Sequence, residues 1–490
     1  MKVSRWLALV GGCWLPMAHG ATLHCAALQQ LQLPGMTVLR AEPAAKDALG
    51  PAACRVTAVL RPTADSVIAI AVWLPDAATW NGKYQAVGNG GWGGSLNTAE
   101  MAEALARGYV TSSTDTGHSG GRASFATGHP EKLIDYGYRS VHEMTVATKS
   151  LVVAYYGRPA KLSYFVGCSS GGRQALMEAQ RYPQDYDGIV AGATTNNITP
   201  MMFERINVAQ ATLAKPESYI EPALYPMLHR AVLKACPSHA GVLDDALICR
   251  FDAKQLECKA GATGDCLTSP QVSAAQRIYA PLTNPNNRNV IFPPMERGSE
   301  LVWKTLAGGP KPILLADDFF RYIVFDKPDW DFKTLNFEGD VALAHTRADK
   351  VLAAVDPDLR PFFAHGGKLL QYHGLTDQQV MPGNSVNYFN AVRATVGAGI
   401  ADASHRLYLV PGMNHCGGGD GPSHFDMLSA LEAWREQGKQ PVTIPAAHET
   451  SGKVDRTRDL CPYPQLSKYM GSGSEDDAAS YTCAAPDRVN

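Results

Sequence analysis

Gly167-Cys168-Ser169-Ser170-Gly171 sets a serine at the centre of a small-residue turn, between the apolar run ending at Val166 and a helical pattern beginning at Ser170. The spacing fits G-x-S-x-G, in which glycines permit a tight, strained turn that lifts a hydroxyl above a sheet edge. A serine alone is a weak nucleophile: it needs a base, and the base needs an acid to orient it. In a sheet-and-elbow architecture these follow in the order serine, acid, histidine. Asp377 follows the run "LLQYHGLT" and His415 follows "RLYLVPGMN", each where a strand opens into a polar loop. His365 and His373 are rival bases, but His373 lies on the strand side of Asp377, where a packed histidine is expected. The expected set is therefore Ser169, His415 and Asp377.

Attack on a carbonyl builds an oxyanion, which needs backbone N–H donors. One is expected from Ser170, the residue after the nucleophile, and the other from Gly91 in "GNGGWGGS". Trp92 is a candidate wall for an acyl pocket. A cysteine flanks each reacting residue: Cys168 precedes Ser169 and Cys416 follows His415. If serine and base lie within hydrogen-bond reach, their chain neighbours can meet the Cα separation of roughly 4.4–6.8 Å that a disulfide requires. A Cys168–Cys416 bridge is expected to staple the base loop to the elbow.

The elements that must carry these residues alternate. "CRVTAVLRP", "SVIAIAVWLP", "YQAVG", "YVTSST", "KLSYFVG" and "YDGIVAGA" read as strands, with helical patterns at "AEMAEALARG", around 138–156 and at "GRQALMEAQRYP". Strand–helix alternation predicts an α/β fold, a mostly parallel sheet with helices on both faces. The alternation stops after Ala193 and returns at "GGKLLQYHGLTD". The predicted organisation is a signal peptide at 1–20, core at 21–195, an inserted lid domain at 196–346 and core again at 347–490.

The 490 residues carry 45% hydrophobic residues and a formal charge of −2, enough for a large core and an insertion. No run of Lys and Arg favours nucleic acid, and no later segment has the ~20 apolar residues of a membrane span. Lys2, Arg5 and the apolar stretch Trp6–Met17 before Ala18-His19-Gly20 read as an export signal, with a lipoprotein signal at Cys13 as the alternative. Export predicts a secreted or periplasmic protein. The ten cysteines left after Cys13 then favour disulfides over a zinc site, since no CxxC pair occurs.

"CSSGGRQALMEAQRYPQDYDGIVAGA", "YHGLTDQQV", "VPGMNHCGGG" and "CPYPQ" resemble the tannase and feruloyl esterase family across essentially the whole mature chain. The resemblance implies an α/β-hydrolase core with a large lid, hydrolysis of aromatic-acid esters, and the same serine, acid and histidine at Ser169, Asp377 and His415. It also implies the pairs Cys25–Cys54, Cys236–Cys249, Cys258–Cys266 and Cys461–Cys483. Many members bind calcium in a lid loop C-D-x-x-D-G-x-x-D-G. Here the loop reads "CPSHAGVLDDALIC", with Pro237 and Ala240 in place of two aspartates. Calcium takes six to eight oxygens, so no cofactor is expected, and no bound metal or only a weak calcium site.

The expected partner is a small aromatic ester of feruloyl or galloyl type; no oligomeric state is legible. The nearest rival substrate, a terephthalate monoester, carries a carboxylate and needs a cation in the lid. Arg321 in "LADDFFRYIVFDKPDWDF" is the candidate, and Phe319, Phe320, Trp303 and Trp330 are candidate ring contacts. A rival of another class is a non-catalytic binding protein on a hydrolase scaffold.

Overall fold

A computed structural model describes residues 23–260, 264–307, 309 and 311–486. The expected signal peptide at 1–20 and Cys13 lie outside the described residues. The central sheet has nine strands: β1 (Met36–Ala44), β2 (Ala53–Leu60), β3 (Ile68–Pro75), β4 (Lys83–Val87), β5 (Val110–Thr114), β6 (Leu162–Cys168), β7 (Gly188–Gly192), β8 (Lys368–Gly374) and β9 (His405–Val410). Their order is β1-β2-β3-β5-β4-β6-β7-β8-β9. The steps from β1 to β5 are antiparallel and those from β5 to β9 parallel. Every residue of β5 and β7 is buried, as expected of strands covered on both faces.

Alternation along the strands builds two layers. Phe165, Ile189, Ala191 and Leu369 pack with Met144, Leu151 and Leu176 of the helices α1 (Ser140–Tyr156) and α2 (Ser170–Arg181). Their neighbours Tyr164, Val190 and Leu370 point the other way, onto Leu431 and Trp434 of the helix Met427–Gln437. β1 escapes the sequence reading because it lies on the sheet edge, is largely exposed and contains Pro43, which central strands avoid. The antiparallel hairpin of Ile444–Thr450 with Lys453–Leu460 near the C-terminus is a further addition.

The insertion leaves after β7 and returns at β8, although these two strands are sheet neighbours. Its long helix Ile198–Leu213 packs against Ser269–Ile278 and Asp340–Leu352. The expected lid end at 346 falls inside Asp340–Leu352, whose buried Ala344, Ala348 and Leu352 continue one helical stripe. Lid side chains share a single apolar cluster with Leu375, Val380, Met381, Leu407 and Leu409 of the sheet part. The lid and the acid-bearing turn are therefore one packed body.

Candidate active site

Ser169 sits between β6 and α2 with φ 62° and ψ −120°, a conformation non-glycine residues rarely adopt. The close packing around it requires glycine. A Cβ on Gly167 would lie 2.6 Å from the Gly171 carbonyl oxygen, and one on Gly172 would lie 2.3 Å from that of Gly192. The Ser169 N–H donates to Gly192 O at 3.0 Å, tying the turn to β7.

Asp377 lies in the turn after β8 and is fully buried. The backbone N–H groups of Gln379 and Val380 donate to its Oδ1 at 2.8 and 2.9 Å. His415 Nδ1 lies 2.7 Å from its Oδ2. Burial disfavours the carboxylate, but the attraction of His415 and hydrogen bonds from His373 and His415 outweigh it and hold the pKa well below the ordinary aspartate value. The acid is thus a fixed anion, and His415 presents Nδ1–H to it.

The rival histidines are engaged elsewhere. His373 is fully buried, accepts from the Ser385 hydroxyl at Nδ1 (2.7 Å), and donates from Nε2 to Val380 O (2.7 Å). Its Nε2 also lies 3.2 Å from Asp377 Oδ2, so it supports the acid from behind. His365 is bonded to the Pro183 carbonyl.

Ser169, His415, Gly91, Cys168 and Cys416 line one cavity of about 550 Å³, within the range of small-ligand sites. Among the described residues Ser169 Oγ makes no hydrogen bond to the protein, a contact that in free enzymes often tightens only with substrate. Cys168 and Cys416 form a disulfide with a Cα separation of 6.0 Å, and Cys416 also has φ 62°. The other bridges join Cys25 to Cys54, Cys236 to Cys249, Cys258 to Cys266 and Cys461 to Cys483.

The glycine-rich loop is pinned against the elbow. Ser170 Oγ and the Tyr136 hydroxyl donate to Gly91 O at 2.7 and 2.9 Å. Gly91 has φ 56°, and among the described residues its N–H donates to no protein acceptor. Ser170 begins α2, so its N–H has no partner within the helix. Both N–H groups are thus free to serve an oxyanion. Sequence reasoning missed the residues that hold this loop. Asn89 donates to Thr114 O (2.7 Å) and Ser95 O (2.9 Å), and Gln174 Oε1 accepts the Asn89 N–H at 2.9 Å.

The expected pocket residues go elsewhere. Trp92 is buried against Tyr136, with ring centroids 5.3 Å apart. Phe319 and Phe320 are fully buried in the lid core, with Phe320 stacked on Trp330. Trp303 is buried against Tyr225 and Tyr279. Arg321 is bonded to Asp317 (2.8 Å) and to Pro328 O. None of these lines the cavity; Leu315 and Gln379 do. Phe319 and Phe320 open the short helical segment Phe319–Val324, and Trp330 folds back onto Phe320 from the loop beyond it, a contact that spacing alone does not reveal.

A lid residue unremarked in the sequence reaches the acid turn. Arg205, on the helix Ile198–Leu213, is fully buried and donates from Nε and Nη2 to Gln379 O at 3.0 and 2.8 Å. Burial lowers its pKa to about 10, with Asp377 opposing the shift. Because the Gln379 N–H in turn binds Asp377, the lid helps hold the acid.

The donors that calcium would need are committed. Both oxygens of Asp244 lie 2.9 Å from His239 Nδ1, and Asp245 Oδ1 accepts the Leu247 N–H at 2.9 Å. The buried Arg458 guanidinium is attracted to Asp244, placing a cation beside the carboxylate. These residues do not fit a calcium site.

The sheet order, the strained serine turn and the acid–histidine pair on the loops after β8 and β9 define an α/β-hydrolase. A family model for tannase and feruloyl esterase matches residues 54–484, and the chain belongs to that family. It is 35% identical to an uncharacterised esterase of Xanthomonas campestris pv. campestris, over 98% of this chain and 94% of the relative. It is 32% identical to a probable feruloyl esterase B-1 of Aspergillus flavus, over 88% of this chain and 86% of that protein. The crystal structure of feruloyl esterase B from Aspergillus oryzae superposes with a TM-score of 0.88 at 27% identity, covering 94% of this chain and 99% of the other. The protein is a carboxylic ester hydrolase of the tannase and feruloyl esterase type. No helix among the described residues is long and apolar enough to cross a membrane.

Proposed function

We propose that the protein is an exported serine esterase that cleaves neutral esters of aromatic acids, of the feruloyl or galloyl kind, through an acyl-enzyme. The observation that carries this is the His415–Asp377 pair facing the cavity in which Ser169 stands, with the two loops joined by the Cys168–Cys416 bond. Ser169 Oγ attacks the ester carbonyl and passes its proton to His415 Nε2. The buried Asp377 anion orients the ring through Nδ1–H and stabilises its charged form. The N–H groups of Gly91 and Ser170 receive the developing oxyanion. His415 then protonates the departing alcohol. Water, deprotonated by the same histidine, releases the acid, and no cofactor takes part.

The cavity lining supports a neutral acyl group over a terephthalate monoester. It contains neither Lys nor Arg, and Arg321 is bonded within the lid. The names of the relatives point to feruloyl esters. Ten cysteines paired in five disulfides fit an oxidising compartment and hence export. The test has two parts. A fluorophosphonate probe should label wild type and spare Ser169→Ala; absence of labelling would favour a non-catalytic binding protein. Kinetics on methyl ferulate, methyl gallate and a terephthalate monoester should then show the highest kcat/KM on one of the first two.

A further inference from the structure

Glu100 is the one residue lining the cavity, among those described, that bears a carboxylate, and no lysine or arginine balances it there. Its position in the sequence suggests a purely structural duty. Asn97-Thr98-Ala99-Glu100 spells a capping box, in which the glutamate would reach back to the N–H of the capping residue. The structure makes only half of that motif. Asn97 Oδ1 accepts the Glu100 N–H at 3.4 Å, but the Asn97 N–H donates to Ser113 Oγ at 2.9 Å. The carboxylate therefore does not hold the Asn97 N–H, and among the described residues it forms no ion pair. The Asn97 side chain is itself fixed, donating to Gly88 O at 2.9 Å, so the helix Thr98–Ala106 is anchored to the oxyanion loop. Burial raises the carboxyl's pKa, the Asn97 side chain opposes the rise, and Glu103 on the same helix adds to it.

From these contacts we infer that Glu100 is a specificity-determining residue, a fixed negative charge that turns away esters bearing a second carboxylate and weakens binding of the acid product. The inference rests on the proposed esterase reading of the same cavity. Its physics is direct: in a partly desolvated cavity, like charges several ångströms apart repel strongly enough to change affinity by about tenfold or more. A neutral ester meets no such penalty. The free acid left by hydrolysis does, which hastens its departure.

The test compares dimethyl terephthalate with monomethyl terephthalate at pH 8, where the free carboxyl of the monoester is ionised. Wild type should favour the diester at least about tenfold in kcat/KM. In Glu100→Gln that ratio should fall at least about fivefold, and benzoate should inhibit more tightly, while Glu100→Asp should retain the preference. Raising NaCl to 1 M should narrow the wild-type ratio through screening, a measurement that needs no variant. A Glu100→Gln enzyme in which both esters slow equally, with the ratio and benzoate inhibition unchanged, would assign Glu100 a structural role and overturn the inference. A salt-independent wild-type ratio would overturn it as well. If wild type cleaves neither ester and resists a fluorophosphonate, the esterase reading itself fails, and the inference with it.

Discussion

Removing the Cys168–Cys416 bond should cost rate before it costs the fold. The two cysteines are 248 residues apart in sequence, and in the chain-entropy model a loop of that size contributes about 5–6 kcal/mol, an upper value because measured effects are often smaller. The Cys236–Cys249 and Cys258–Cys266 bridges lie inside that loop and span only 13 and 8 residues, so they shorten it little. Four bridges and two large apolar cores remain in a Cys168→Ala, Cys416→Ala double variant, which should stay folded at room temperature with a lowered Tm. The catalytic consequence follows from strain. Ser169 and Cys416 both hold φ 62°, a conformation that costs a non-glycine residue about 1–3 kcal/mol and persists only where the surroundings enforce it. With the bond gone, each loop can relax, and a misplacement of about 1 Å costs on the order of a hundredfold in rate. Steady-state kinetics beside a thermal melt of the same preparation should show kcat reduced at least about tenfold with a smaller change in KM. The control is Cys236→Ala, Cys249→Ala, whose 13-residue span is worth about 3 kcal/mol in the same model and whose loss should leave kcat alone. A folded double variant with near-wild-type kcat would refute the reasoning, showing that the hydrogen bonds around Asp377 align His415 unaided.

Ser169→Ala and His415→Ala should each lose orders of magnitude in kcat with an unchanged far-UV spectrum. His373→Ala should keep more activity than His415→Ala but melt at a lower temperature, because it empties a fully buried site bonded to Ser385 and Val380. Arg205→Leu removes the charged donors of the Gln379 carbonyl, a loss of about 1.5–3 kcal/mol, and should lower kcat by loosening the acid turn; a folded variant with wild-type kcat would separate the lid from catalysis. EDTA should shift neither activity nor Tm, since the Asp244 and Asp245 carboxylates are already committed; a fall reversed by added calcium would contradict this. His405 is fully buried, and burial, aided by Arg406, lowers its pKa from 6.5 to about 3. The folded state keeps it neutral while the unfolded chain takes up a proton, so its contribution is complete above pH 6.5 and is lost as pH falls toward 3. At pH 5 that amounts to about 2 kcal/mol, and His405→Asn should narrow the Tm difference between pH 7.5 and pH 5.

The sequence by itself determined the chemistry that local pattern can encode. A strand–turn–helix junction needs glycines where backbones touch, so Gly167-Cys168-Ser169-Ser170-Gly171 marks an elbow without knowledge of the rest of the chain. Loops that follow apolar strands of a parallel sheet open on one edge, which made Asp377 and His415 legible, and the cysteines beside the two reacting residues disclosed that their loops meet. Tertiary structure decided everything that depends on which faces turn toward each other. Phe319, Phe320 and Trp330 have the composition of a substrate pocket, yet the fold stacks Phe320 on Trp330 within the lid core and leaves Leu315 and Gln379 at the cavity. Arg205 lies far from Asp377 in sequence and reaches its turn only because the lid packs onto the segment that follows β8. Glu100 reads as half of a capping box until Ser113, on a neighbouring strand, takes the Asn97 N–H and leaves the carboxylate in the cavity. Periodicity specifies that a residue is buried or exposed along its own element; the partner it meets is set by packing between elements distant in the chain.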